Sequence, residues 1–269
     1  MTKLYKIVCK THLHAGSGDS NFGVIDRLVQ RDPTDQLPCI YASSLKGAFR
    51  EYWDECQSKN EANLIFGKDD KGSLIFHQAH LLSIPMRSNK RPYFNVTAPM
   101  ALENLAYKLE IVGSIPRWLD DLIKIEVPEN KIYVFQGYTS GLKIEDYEGA
   151  NVENETPNLS QAASKVFGDY YCLVNDADFI RICSDYSLPV IARNNLENGQ
   201  SNNLWYEQII PREARFFFAT TETPGLNSGK KEAVEKFYKT FYDSNTVLQI
   251  GANATIGYGQ CVTSKIGLQ

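Results

Sequence analysis

Two short motifs lie close together near the N-terminus: Val24-Ile25-Asp26-Arg27 and, after a loop through Pro38, Ser43-Ser44-Leu45-Lys46-Gly47 with Arg50 following. Ser43 and Ser44 are good N-cap residues, so the sequence predicts a helix from there to about Gln57. Helix N-termini carry partial positive charge and free N–H groups that attract anions. Lys46 in the first turn is therefore unfavourable unless a phosphate binds there, the alternative being a solvated lysine on an ordinary helix.

The composition is ordinary for a globular protein: 269 residues, 43% hydrophobic and 22% charged, enough to bury a sizeable core. We expect a cytoplasmic protein without membrane contact, because no apolar run could span a bilayer and the N-terminus lacks a signal segment. The scattered cysteines contain no Cys-x-x-Cys pair, which predicts reduced, mostly buried thiols and argues against structural zinc.

Charge is unevenly distributed along the chain. The net charge of −4 argues weakly against nucleic-acid binding. Residues 1–50, however, carry seven Lys or Arg against four Asp, a net of +3, whereas residues 101–160 carry five against eleven, a net of −6. A basic working face with an acidic flank is compatible with RNA binding and also with packing against basic neighbours.

Hydrophobic patterning predicts alternating strands and helices. Strands are predicted over residues 3–13, 72–82, 132–136 and 214–221, with two short strands around the Gly-rich loop of residues 247–262; helices are predicted over 101–111, 159–168 and 228–242. In the first helix, Leu45, Ala48 or Phe49, Tyr52 and Cys56 are predicted to share one face at helical spacing, and Lys46, Arg50 and Trp53 another. Residues 15–23 are predicted to be a Gly-rich loop, and the acidic stretch 144–158 an exposed connection.

Asn198-Gly199 is the strongest short signal for a hairpin turn. Its arms, residues 188–197 and 200–209, are polar near the tip, so a hairpin here has little to bury and should project from the body. A disordered surface loop is the alternative. Together with the element order, this predicts an α+β sandwich of the ferredoxin-like type carrying large insertions.

An ordered set of motifs resembles the RAMP backbone subunits of type III CRISPR RNA-guided effector complexes. The matching segments are His14-Ala15-Gly16-Ser17-Gly18, Gly23–Arg27, Leu37-Pro38, Ser43–Arg50, and Ile250-Gly251 through Ile256-Gly257-Tyr258-Gly259. Leu204-Trp205-Tyr206-Glu207 with Pro211, and Pro85-Met86-Arg87-Ser88, resemble the type III-B (Cmr-module) member more than its type III-A counterpart. Gln78-Ala79-His80 departs from the family's Asp-Ala-Arg, which we expect to affect local contacts only.

The resemblance implies one RAMP domain over residues 1–269. It implies a modified ferredoxin-like palm, related to the RNA-recognition motif, with insertions at about 83–158 and a thumb β-hairpin at about 186–212. The implied partners are a CRISPR guide RNA, a single-stranded target RNA, copies of the same subunit in a filament and other Cmr-module subunits. Thumbs would displace base pairs at regular intervals, and target RNA would be cut beside each displaced nucleotide using Asp26 and a divalent ion, Mg or Mn, without an organic cofactor.

RNA can be cleaved by its own 2′-hydroxyl once that oxygen lies opposite the leaving 5′-oxygen, an alignment that A-form pairing prevents. The protein then supplies geometry and a carboxylate that holds a metal or accepts a proton. A single Asp is a poor metal site, so water and phosphate must complete the coordination, and metal binding should depend on RNA. Without the family context, Asp26 would be interpreted as a loop-capping residue.

Other residues receive more specific predictions. Lys46 and Arg50 are predicted to contact guide phosphates without base preference. His14 is predicted to contact guide phosphate or have a structural role, the alternative being assistance in proton transfer. Tyr258 is predicted to stack or hydrogen-bond near the guide or to pack at a strand edge, and Glu207 to be a second acidic group near the cut. Trp205 and Tyr206 are predicted to anchor the thumb, which also contains Asn198, Gly199 and Leu204. Further predicted RNA contacts are Ser43, Ser44, Gly16, Ser17, Arg27, Arg193 and Gly257.

Three functions fit these residues. The first is a guide-bound endoribonuclease that also forms the backbone of its complex, and the second is a non-catalytic guide-binding scaffold. The third is a guide-processing ribonuclease that acts through histidine without metal. A metal site built from His12, His14, His77 and His80 has permissive spacings but no further support.

Overall fold

The computed structural model describes residues 1–18, 23–68, 70–151 and 157–267. The strands are β1 (Thr2–Cys9), β2 (Cys39–Ile40), β3 (Leu74–Phe76), β4 (Ala79–Met86), β5 (Phe94–Thr97), β6 (Lys131–Val134), β7 (Lys143–Ile144), β8 (Tyr147–Asn151), β9 (Tyr171–Leu173), β10 (Val190–Glu197), β11 (Gln200–Gln208), β12 (Arg215–Glu222), β13 (Thr246–Gln249) and β14 (Gln260–Lys265). The helices are α1 (Ala42–Cys56), α2 (Lys59–Phe66), α3 (Pro99–Val112), α4 (Arg117–Ile123), α5 (Pro157–Phe167), α6 (Asp176–Ile182) and α7 (Ser228–Phe241). Among the described residues, none of the helices is both long and apolar enough to cross a membrane.

The centre of the main sheet has the strand order β14-β1-β12-β4, and β3 pairs with the far end of β12. β1 is antiparallel to both β12 and β14, and β12 is antiparallel to β3 and β4. Helix α1 follows β1, and α7 connects β12 to the β13–β14 hairpin. This double split-βαβ arrangement is the ferredoxin-like topology, so the predicted fold class is confirmed.

Both faces of this sheet are covered, because alternate residues of each strand enter different cores. Tyr5, Phe216 and Phe218 pack with α1, α2 and α7, whereas Leu4 and Phe217 pack with α3, α4 and α5. The aromatic residues of β12 therefore serve as core on both sides. Where α3 to α5 lie over the sheet, its face is closed to an RNA strand.

The inserted chain continues the central sheet. The order runs on from β4 through β5, β9, β6 and β8 to β7, with Ile84 opposite Val96 in the β4–β5 pair. The stretch of about 83–158 predicted to be an insertion begins within β4 and contributes β5 to β8 together with α3 and α4. The projecting hairpin, by contrast, is a separate two-stranded sheet of β10 and β11.

Helix α1 differs from its prediction at the start and on its buried face. It begins at Ala42 after an N-cap at Tyr41 that makes no side-chain capping bond, so Lys46 lies in the second turn. The N–H of Tyr41 is held instead by Oε1 of Gln30 (2.6 Å). Trp53 is fully buried and stacks on Phe237, whereas Cys56 is exposed. Helical periodicity alone allows either Trp53 or Cys56 to face the core. Burying the larger apolar surface of Trp53 is more favourable, which decides the outcome.

Other predicted segments were confirmed or corrected. The helices at 101–111, 159–168 and 228–242 and the strands at 132–136 and 214–221 are confirmed within a few residues, and the predicted first strand ends early, at Cys9. The predicted strand 72–82 breaks at His77-Gln78, because β3 and β4 pair with different parts of β12. The stretch 144–158 contains β8 and is not simply a connection, although residues 152–156 lie outside the described residues, as do residues 19–22 of the predicted Gly-rich loop.

Candidate nucleic-acid interface around Asp26

Four distant segments meet at the end of the sheet where β1 finishes. Leu13 bridges Ile210 beyond the hairpin, and Arg27 bridges Glu207 on β11. The loop between β13 and β14 closes over the segment following β1, because the N–H of Ala252 donates to the carbonyl of His14 (2.9 Å). Gly251 permits this approach, since a Cβ there would lie 2.5 Å from that carbonyl oxygen and its φ is +80°.

Asp26 is clamped to the hairpin in both directions. The N–H groups of Asp26 and Arg27 both donate to the carbonyl of Tyr206 (3.1 Å each), and the N–H of Tyr206 donates to Oδ2 of Asp26 (2.7 Å). The Asp26 side chain is exposed. A carboxylate can accept several hydrogen bonds, so this one retains capacity for a ligand in solvent. The arrangement fixes an acid at the point where the loop meets the hairpin base.

Glu207 lies beside this clamp and is fully buried. Oε1 accepts from Arg27 (3.0 Å) and from the Trp205 indole (3.3 Å), and Oε2 accepts from Arg193 (3.2 Å) and Asn253 (2.9 Å). We call these five residues the Glu207 network. Burial by itself would raise the pKa of Glu207, but the indole donor, nearby His14, Arg193 and Asn253 together hold that pKa below its ordinary value.

The Glu207 network also brings two predicted RNA contacts together. The guanidinium carbon of Arg27 lies 5.3 Å from the centre of the Trp205 ring, and that of Arg193 lies 5.6 Å from it. The side chain of Arg27 is 56% exposed and that of Arg193 is 24% exposed. The Glu207 carboxylate therefore orients both guanidinium groups. Arg27 is the more exposed of the two and remains accessible to a phosphate.

His14 is 4% exposed and is held within the protein. Its Nδ1 lies 2.7 Å from the carbonyl oxygen of Gln208 and donates to it, because a carbonyl can only accept. Nε2 faces Gly16, where an added Cβ would lie 3.0 Å away. This geometry supports a structural role for His14 at the hairpin base over direct contact with phosphate.

Helix α1 contributes one exposed cation and one that is engaged within the protein. Lys46 and Ser43 are exposed, whereas the hydroxyl of Ser44 accepts from the side-chain amide of Gln30 (3.0 Å). Arg50 donates to the carbonyl of Gly67 (2.6 Å) and to Oδ1 of Asn63 (2.6 Å). Lys46 thus remains available for a phosphate, while a guide contact by Arg50 would compete with its bonds to the end of α2.

The Gly-rich loop and the hairpin tip follow their predicted forms. Asn198 and Gly199 both have positive φ (51° and 80°), as a type I′ turn requires. Gly257 is exposed with φ +83°, and Tyr258 is buried edge-to-face against His12, which matches the packing alternative predicted for it. Gly16 and Ser17 are half-buried in the segment after β1.

The aromatic residues at the hairpin base divide between its two faces. Trp205, predicted to be an anchor of the hairpin, is half-buried and donates its indole N–H to Glu207. Tyr206, predicted to be a second anchor, has an exposed side chain, as does Leu204. The prediction overlooked Asn253, which has a left-handed conformation (φ 68°) and donates to Glu207, and Tyr186, a nearly fully exposed aromatic residue that lines the same cavity as Ile25 and Tyr206.

A divalent ion fits this site only as one shared with RNA. Among the residues described, no group of three or more His, Cys, Asp or Glu side chains is placed to hold a metal. The carboxylate of Glu207 is already occupied by four donors, which leaves Asp26 as the exposed acid. A hard cation that keeps most of its water can be bound by one carboxylate together with substrate phosphates, so the chemistry of Asp26 fits such an ion.

Residues 6–262 match the family model described as the RAMP superfamily. The chain belongs to the RAMP superfamily. It is 28% identical to the CRISPR system Cmr endoribonuclease Cmr4 of Pyrococcus furiosus, over 93% of this chain and 90% of that relative. It is also 27% identical to the CRISPR system CMR subunit Cmr4 of Saccharolobus solfataricus, over 96% and 94% of the two chains.

Solved RAMP structures share the fold. A chain of the type III-B Cmr-beta complex bound to cognate target RNA superposes with a TM-score of 0.80 at 21% identity, covering 98% of this chain and 96% of that one. Oligomeric Cmr4 from Pyrococcus furiosus gives 0.74 at 21% identity, covering 100% and 98%. The resemblance to RAMP subunits of Cmr modules, inferred from the sequence motifs, is confirmed.

Proposed function

We propose that this chain is a guide-RNA-bound backbone subunit of a type III-B Cmr complex, present in several copies, and that it cleaves complementary target RNA with Asp26 at each cut. The observation that carries the proposal is the two-way clamp between Asp26 and Tyr206, which fixes an exposed acid at the base of a projecting hairpin. The relatives named Cmr4, one of them an endoribonuclease, support the same conclusion.

The reaction follows from the chemistry of RNA. The 2′-hydroxyl attacks the adjacent phosphorus, the bond to the 5′-oxygen breaks, and a 2′,3′-cyclic phosphate and a 5′-hydroxyl result. In-line attack requires the nucleotide to leave its A-form geometry. A two-stranded hairpin anchored only at its base is suited to separate the strands beside Asp26, because its polar tip has no fixed place in the body.

Asp26 would be the protein's ligand for a divalent ion, Mg or Mn, completed by water and by target phosphate. Such an ion neutralises phosphate charge that develops during cleavage. Asp26 itself can orient the attacking hydroxyl or accept its proton. Arg27, Arg193 and Lys46 contribute cations that hold the RNA backbone in register and carry no base preference.

The direct test is target cleavage by the reconstituted complex, comparing wild type with Asp26→Asn. Asn retains an acceptor oxygen for the N–H of Tyr206 but removes the charge. We expect a regular ladder of products from wild type and loss of the ladder from the variant, with guide binding and assembly unchanged. Tight RNA binding with no ladder from wild type would instead establish the scaffold function and assign the chemistry to a partner.

A further inference from the structure

A cavity of about 310 Å³ is lined by Ile25, the residue before Asp26, and by Tyr206, whose N–H donates to the Asp26 carboxylate. It is lined by Val24, Ile25, Leu28, Tyr186, Val190 and Tyr206, and we call it the Tyr206 cavity. We infer that it receives the nucleobase of the target nucleotide whose 2′-hydroxyl attacks, and so holds that nucleotide outside the duplex. The inference rests on the proposed function, because it assigns a binding site to one base of the target RNA.

The walls of the cavity suit a base and do not suit a phosphate. None of its described lining residues is cationic, and the one charged residue, Asp185, is acidic and pairs through Oδ1 with Arg31 (2.7 Å), whose side chain is only 15% exposed. Val24 is 84% exposed, and Tyr186 is 93% exposed. Large apolar side chains clustered in solvent beside a polar site indicate a ligand that covers them. A nucleobase has an apolar π-face that stacks on tyrosine and N–H edges that an acidic rim can accept.

The hairpin separates base recognition from phosphate recognition. Side chains alternate between the faces of a strand, so Trp205 and Tyr206 point in opposite directions. Arg193 pairs with Trp205 across the hairpin, on the face of the Glu207 network, whereas Ala192 pairs with Tyr206 on the face of the cavity. The two arginines of the Glu207 network therefore lie on one side of β11 and the apolar cavity on the other.

Asp26 lies between these two faces, because its backbone and its carboxylate both bond to the main chain of Tyr206. A nucleotide with its ribose at Asp26 can direct its phosphate towards Arg27 and its base into the Tyr206 cavity. In-line attack requires the base to leave the stacked bases of the duplex. The Tyr206 cavity lies next to the residues that hold Asp26, where the ribose would be. At about 310 Å³ it is at the lower limit of small-molecule sites, which suits a single base.

The test removes the base and leaves the reacting atoms in place. A target carrying an abasic ribonucleotide at the attacking position keeps its 2′-hydroxyl and its phosphates. In single-turnover cleavage by the reconstituted complex, we expect the rate at that site alone to fall about tenfold, the scale of one lost base–aromatic stack. An abasic residue at a neighbouring position in the same target is the matched substrate control.

Variants of the side chain then identify the cavity. Tyr206→Ala leaves the main-chain clamp on Asp26 unchanged and should slow intact target about tenfold without slowing the abasic target further. Tyr206→Phe keeps the ring and should restore most of the rate that Tyr206→Ala loses. The control variant Tyr107→Ala, which removes an exposed tyrosine on α3, should cleave like wild type. Native mass spectrometry of each complex counts its subunits.

Abasic target cleaved at the full rate would overturn the inference. So would equal slowing of intact and abasic targets by Tyr206→Ala, because the tyrosine would then act on something other than the base. Loss of subunits from the Tyr206→Ala complex would assign the cavity to a side chain of a neighbouring protein. Absence of any ladder from wild type on unmodified RNA is a different result, since it refutes the proposed function itself.

Discussion

Replacing Glu207 separates a positioning role from a catalytic one. The carboxylate is fully buried and accepts four hydrogen bonds, so Glu207→Ala leaves two guanidinium groups, an indole and an amide without their partner. Breaking a buried charged network typically costs about 3–5 kcal/mol. Because 56% of the Arg27 side chain is exposed and can rehydrate, we expect a loss near the lower limit, about 3 kcal/mol.

Glu207→Gln should cost roughly half as much, on the order of 1.5 kcal/mol. Its remaining oxygen can still accept from Arg27 and Trp205, but its amide nitrogen cannot accept from Arg193 or Asn253. For a chain of this size about 1 kcal/mol corresponds to roughly 3 °C in Tm. Thermal unfolding of the full chain should therefore give a decrease of about 9 °C for Glu207→Ala and about 4 °C for Glu207→Gln.

The Glu207 contribution should also depend on pH with a definite sign. Its pKa is lower in the folded protein than the ordinary value of 4.5. The stabilisation is consequently complete above that ordinary value and is lost as the pH falls through the lower folded-state pKa. The difference in Tm between wild type and Glu207→Gln should be constant near neutral pH and shrink at acidic pH below 4.5.

Cleavage measurements complete this prediction. If Glu207 positions the arginines and the hairpin base, Glu207→Gln should weaken RNA binding and slow cleavage together, with the pH–rate profile unchanged in shape. The reasoning is refuted if Glu207→Gln unfolds at the wild-type Tm and binds RNA normally, yet loses cleavage by a factor of about 100 or more, the scale of a missing general acid or base. That result would place Glu207 at the reacting atoms.

Three further predictions use the same complex. Lys46→Ala should weaken guide binding and reduce the slope of log K against log salt by about 0.7–0.9, the share of one phosphate contact; an unchanged slope would remove Lys46 from the interface. Arg50→Ala should mainly lower Tm, by about 4 °C, because its bonds to Gly67 and Asn63 are internal; an intact Tm with a reduced salt slope would instead support the predicted phosphate contact. Chelation of divalent ions should stop target cleavage and spare guide binding, and cleavage in excess chelator would favour the histidine mechanism.

The sequence predicted correctly those elements that neighbouring residues determine by themselves, such as turns and amphipathic helices. The Asn198-Gly199 turn requires two residues with positive φ, and the sequence supplies residues that adopt it at low cost. Helix α7 follows from an apolar period that fills one face. Asp26 was identified as the candidate catalytic residue only through the family motif that contains it, because an isolated Asp in a loop carries no specific signal.

Contacts between distant parts of the chain could not be predicted in the same way. Arg27 and Glu207 are 180 residues apart, and only the folded chain brings Arg27 to Oε1 and Asn253 to Oε2 of the same carboxylate. For Trp53, helical period allowed two faces, and the position of α7 decided the outcome. At the departure Gln78-Ala79-His80, Gln78 donates to Asp32 (2.5 Å) and His80 stacks on Phe217, contacts that no local pattern in the sequence indicates.

The attachment of the hairpin to the rest of the protein at its base alone has a mechanical consequence. β10 and β11 form a separate two-stranded sheet that the Arg27–Glu207 bridge joins to the body at its base, so the arm is a lever whose pivot is the Glu207 network. The main chain of Tyr206 lies at that pivot and grips Asp26 from both sides. In the proposed function, a force that RNA exerts on the hairpin tip would be transmitted through Tyr206 to Asp26, so that separating the strands and positioning the carboxylate would be one movement.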